Sequence, residues 1–116
     1  MSHERTAYLR AVLAAYVALP DTPERPRHPD RTVAARLYDR RVPLATVTDA
    51  LTLASARRTF RAPQAPALPP IRSLAYFLPV VDELLAHPLP NGYIDYLTAK
   101  LRRAGRANRP ENRVSS

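Results

Sequence analysis

A chain of 116 residues can enclose one hydrophobic core but not two. Its 18 Lys and Arg against 10 Asp and Glu leave a net charge of +8, which points to a polyanionic partner, nucleic acid or an anionic membrane surface. Cysteine is absent, which excludes a disulfide framework, a thiolate metal site and a cysteine nucleophile.

The first helix is expected over about Glu4–Ala18, where Leu9, Val12, Leu13 and Tyr16 recur at helical spacing. Arg5 and Arg10 ahead of "AVLAAYVAL" resemble a secretory signal. That run is short, contains Tyr16 and continues the pattern begun at Tyr8, so it reads as a helix of the fold. "LPDTPERPRHPD" then packs four prolines into twelve residues and reads as a connector. Asp30 is suited to N-cap the second helix, "RTVAARLYDRR", which presents Val33, Ala34, Leu37 and Tyr38 to the core.

Pro43 fits the first turn of a third helix, in which Leu44, Val47, Leu51 and Ala54 form the apolar stripe and Leu53 and Phe60 widen it. Its last turn carries Arg57, Arg58 and Arg61, the charge a helix C-terminus favours. After the proline-rich "APQAPALPP", the apolar positions Ile71, Leu74, Phe77, Leu78, Val81, Leu84 and Leu85 keep one phase across Pro79. That phase favours one fourth helix bent at a solvent-facing proline over two helices meeting there. "PLPNGY" is a turn, and a fifth helix follows from about Tyr93 to Ala104 on Ile94, Leu97 and Leu101, with Gly105 as its cap.

The expected fold is therefore all-α, a single bundle of about five helices over residues 1–104. Residues 105–116 read as a basic, disordered tail. No run reaches the roughly 18 apolar residues of a membrane span, so a soluble, cytoplasmic protein is expected.

Catalytic chemistry is missing from the pattern. His3, His28 and His87 are scattered, with no second histidine or carboxylate at metal-ligand spacing. Tyr93 and Tyr96 suggest a DNA-nicking tyrosine pair, but such enzymes need a histidine pair to hold a metal, and no His-x-His occurs. Neither enzyme activity, metal nor cofactor is expected.

Charge is the positive signal. Lys100, Arg102, Arg103, Arg106, Arg109 and Arg113 face one acid, Glu111, within that span, while Arg57, Arg58 and Arg61 form a second cluster. The basic set holds one lysine and seventeen arginines; a GC-rich genome favours Arg over Lys but does not make a chain basic. Arginine forks match phosphate oxygens, and counterion release drives such binding. Arg57, Arg58, Arg61, Lys100, Arg102, Arg103, Arg106 and Arg109 are thus the candidate nucleic-acid contacts. Tyr8, Tyr76 and Tyr93 are candidate partner contacts if the chain is instead an adaptor or a small subunit of a larger nucleoprotein complex.

The second and third helices, joined by "RRVP", have the length and spacing of a helix-turn-helix, although the usual turn glycine is absent. The run Thr32–Arg61 followed by "PIRSLAYFLPVVDELL" resembles the helical C-terminal modules of DnaD-like plasmid and phage replication initiators. There a short helix, a hydrophobic-Pro or hydrophobic-Gly turn and a longer helix with a basic end precede a helix bearing an aromatic pair, here Tyr76 and Phe77. The proline-rich linker and Pro79 depart from that pattern. The resemblance implies DNA binding and recruitment of replication or mobile-element partners without catalysis.

Overall fold

The computed structural model describes residues 2–107, all of whose regular structure is helical. Helix α1 spans Ser2–Val17 and buries Val12 and Tyr16 completely, with Leu9 and Leu13 at its flanks. Tyr16 meets Phe77 edge-on at 6.0 Å. Its hydroxyl finds no hydrogen-bond partner among the described residues. Burial, followed by the charge of Asp30, pushes the phenol up to about 12.

Helix α2 spans His28–Asp39 and begins earlier than expected, because Pro29 is tolerated in a first turn where no amide bond is lost. Asp30 is therefore the third residue of the helix and not its cap. One carboxylate oxygen accepts the Arg27 N–H at 2.8 Å, the acidic half of a capping box. The other accepts the Leu74 N–H at 2.9 Å, 44 residues along the chain, and Asp30 is only 1% exposed.

The end of α2 supplies what the missing turn glycine would have provided. Arg41 takes φ +63°. The Arg41 N–H donates to Tyr38 O at 2.9 Å and the Val42 N–H to Leu37 O at 3.1 Å, the two bonds of a Schellman cap. Val42 and Leu37 are both buried, the apolar contact that accompanies it. A left-handed conformation costs a residue bearing a Cβ about 1 kcal/mol, and Arg41 is exposed. Arg41→Gly is thus expected to raise stability by about 1 kcal/mol, read as a higher midpoint in urea at unchanged slope.

Helix α3, Leu44–Thr59, is the centre of the fold. It touches α1, α4, α5 and the 3₁₀ turn described below. Val47, Ala50, Leu51, Leu53, Ala54, Ser55 and Ala56 are all buried. Pro43 stands at its N-cap, and Leu44, expected in the stripe, is 37% exposed because the first turn projects past the core. The α2–α3 pair keeps helix-turn-helix connectivity, and the outer side of α3 presents Ala45, Thr48, Asp49 and Thr52, a short face with an acid and no cation.

The fourth element is a 3₁₀ turn, Leu74–Phe77, running into helix α4, Leu78–Ala86. Ser73 caps the turn, its Oγ accepting the Ala75 N–H at 3.0 Å. An unbroken α-helix would have left the Ala75 carbonyl facing the Pro79 ring. The 3₁₀ register closes that carbonyl with the Leu78 N–H instead, and Pro79 falls in the first turn of α4. Pro79 thus marks a junction rather than a bend in one helix. Its solvent-facing placement agrees with the sequence pattern, as do buried Ile71, Leu74, Phe77, Val81 and Leu84, whereas Leu85 is 43% exposed. Helix α5, Tyr93–Ala107, rests chiefly on α3 through buried Leu97 and flanking Ile94 and Leu101. It passes through Gly105 without ending there. Among the described residues no helix is long and apolar enough to cross a membrane.

Candidate nucleic-acid interface

The three arginines at the end of α3 do come together, around a groove of about 270 Å³ shared with Tyr76, Leu68 and Val80. Their donors, however, are engaged by acceptors of the same chain at its surface. The two Nη atoms of Arg57 donate to the two carboxylate oxygens of Glu83 on α4, at 2.9 and 2.5 Å. This fork holds the Glu83 carboxyl below its ordinary value and raises the Arg57 guanidinium. Arg58 donates to the Tyr76 hydroxyl at 3.2 Å, to Pro69 O at 2.9 Å and to Asp21 at 3.4 Å. Arg61 donates to Pro66 O at 2.6 Å. The cluster therefore fastens α4 and the proline-rich connector to α3.

Arg58 carries the most bonds and its side chain is 11% exposed. Arg58→Ala is expected to cost about 2 kcal/mol of stability, since hydrogen bonds to a charged group contribute more than neutral ones. A thermal melt checks this, and a change within half a degree would refute the fastening role.

The tyrosines expected as partner contacts separate in the same way. Tyr8 is half-buried, not exposed: its hydroxyl donates to Val42 O at 2.8 Å and its ring meets Tyr38 edge-on at 5.2 Å. Burial raises its phenol. Tyr76 is 46% exposed but lies under Arg58, whose guanidinium is 5.5 Å from the ring centroid. Tyr93 is 39% exposed and stacks on Tyr96 at 6.1 Å and 28°.

The basic residues of α5 behave differently from those of α3. Arg102 and Arg103 are exposed, and no acid pairs with Lys100, Arg102 or Arg103 among the described residues. By contrast, Arg5, Arg40, Arg57 and Arg58 are each paired with a carboxylate. Lys100 Nζ sits 4.3 Å from the centroid of Phe60, the residue that ends α3, and 6.0 Å from that of Tyr96. The backbone of Arg106 belongs to α5, while Arg109 and Arg113 lie outside the described residues.

Two members of this surface were not among the candidates. Tyr96, 53% exposed, shares with Tyr93, Lys100 and Arg103 a row that helical spacing alone places beside the Ile94–Leu97–Leu101 seam. Phe60 reads as core in the pattern and is 37% exposed; only the approach of α5 to the end of α3 brings it into the row. His3 lies on α1, His28 opens α2 and His87 caps α4, and no group of three metal-ligating side chains gathers among the described residues. Compared with protein-family models, curated proteins and solved structures, the chain matches none.

Proposed function

We propose that this chain is a non-catalytic nucleic-acid-binding domain, with DNA as its target, which grips phosphates along α5. The observation that carries this reading is the contrast in charge. Arg5, Arg40, Arg57 and Arg58 spend their charge on carboxylates of the same chain, and other exposed arginines such as Arg10, Arg31 and Arg72 are spread over separate elements, whereas Lys100, Arg102 and Arg103 have no carboxylate partner among the described residues and stand together on one outer helix. Unpaired guanidinium and ammonium groups on a rigid element can take phosphate oxygens without first breaking an internal bond. Service in a replication or mobile-element system follows only from the resemblance of Thr32–Arg61 and the aromatic pair to DnaD-like modules.

The test is a titration of labelled duplex DNA, single-stranded DNA and RNA at about 50 and 200 mM salt, where phosphate gripping shows as a steep loss of affinity. A second reading, a protein adaptor, is favoured by the exposure of Phe60, Tyr93 and Tyr96 on one edge. Its mark is a stoichiometric protein complex that survives high salt, with no retention of nucleic acid.

A further inference from the structure

The row on α5 holds more than charge. Tyr93 and Tyr96 are stacked on each other and open to solvent, and Phe60 lies against Lys100 at the next position along. Aromatic rings left this exposed on a small domain are costly to hydrate unless something covers them. Arg103 continues the row one turn beyond Lys100. From Tyr93 to Arg103 the helix rises about 15 Å, enough for about four nucleotides of a strand at 3.4 Å spacing.

Ring faces beside cationic heads match one chemistry in particular. An unpaired base offers a π-face to stack on tyrosine or phenylalanine, and its phosphate lies within reach of Lys or Arg. In a duplex those base faces are already covered by their neighbours, and sequence is read instead by polar side chains entering a groove. The outer side of α3 offers only Ala45, Thr48, Asp49 and Thr52, with no cation of its own to hold a duplex backbone beside it. Among the described residues the acids keep clear of the row: Asp95 is turned about 100° from Tyr96 around the helix. With Asp49 it lines a separate cleft near Leu84 and Pro88. The carboxyl of Asp49 is raised there by burial and then by Asp95, which locates the negative charge on that flank. Glu83, near Tyr93 through Arg57, is neutralised by the bidentate fork.

We infer that the Phe60–Tyr93–Tyr96–Lys100–Arg103 row is a stacking platform for unpaired bases, so that the ligand is a single strand rather than a duplex. This rests on the nucleic-acid reading above and narrows it.

The experiment is fluorescence anisotropy of the full chain with labelled oligo(dT) and with the matching dA·dT duplex, for the wild type and for the pair Tyr93→Leu with Tyr96→Leu. Leucine keeps apolar bulk while removing the π-face, and both positions are exposed, so the variant should melt with the wild type. The expected result is single-strand binding at least about tenfold tighter than duplex binding, with that margin lost in the variant and duplex affinity unchanged. Retained salt-sensitive binding that is equal for strand and duplex, and indifferent to the tyrosines, would overturn the platform while leaving the phosphate-gripping function intact. No binding of either probe at low salt would overturn both.

Discussion

Replacing Asp30 by alanine is expected to lower the thermal midpoint by about 15 °C. The carboxylate is enclosed and accepts two backbone N–H groups, those of Arg27 and Leu74. Removing it leaves both donors without a partner, at about 1–3 kcal/mol for each that stays dry. A loss of about 3 kcal/mol moves the midpoint of a domain this small by about 15 °C. Asp30→Asn should fall between the wild type and the alanine variant, because one amide oxygen can still accept while the amide nitrogen cannot. Calorimetry of the three proteins checks the ranking. An alanine variant melting within a few degrees of the wild type would mean that water replaces the carboxylate at both amides.

The second large effect is on binding. Changing Lys100, Arg102 and Arg103 together to glutamine is expected to weaken nucleic-acid affinity about a hundredfold near 0.1 M salt. It should also make the plot of log affinity against log salt shallower by about two units on a single strand and by about three on a duplex. These side chains hold no ion pair among the described residues, so the unfolding midpoint should stay near that of the wild type. Arg57→Ala is the contrasting control, since its guanidinium is committed to Glu83. Anisotropy over a salt series reads both. An unchanged affinity and slope in the triple variant would turn the assignment toward the adaptor.

The helices themselves were legible because apolar spacing is local: Val12 and Tyr16, Ala34 and Leu37, Val47 and Leu51, Val81 and Leu84 are the positions the period picks out, and they are buried. What the pattern could not show depends on partners distant along the chain. Asp30 looks like a cap in sequence; its second bond is to Leu74. The apolar phase across Pro79 is real, yet phase does not distinguish α from 3₁₀ register, and the Ala75 carbonyl decided between them. Arginines at a helix end read equally well as phosphate contacts and as internal ties. Glu83, Pro69 and Pro66, each from a later segment, made them ties. On α5 the spacing of Tyr93, Tyr96, Lys100 and Arg103 was readable, but Phe60 joins them only through tertiary packing.

Helix α5 leans chiefly on one neighbour, and this has a consequence for the opening motions of the domain. Elements that share few apolar contacts with the rest can detach at a free energy below that of global unfolding. Detaching α5 uncovers Leu97 and the flanks of Ile94 and Leu101, while the α1–α3–α4 core stays closed. Its amides should therefore exchange with solvent ahead of those of α3, as a separate cooperative unit. A ligand held by the closed helix adds its binding free energy to that one opening step, so slowed exchange confined to residues 93–107 would report occupancy by mass action.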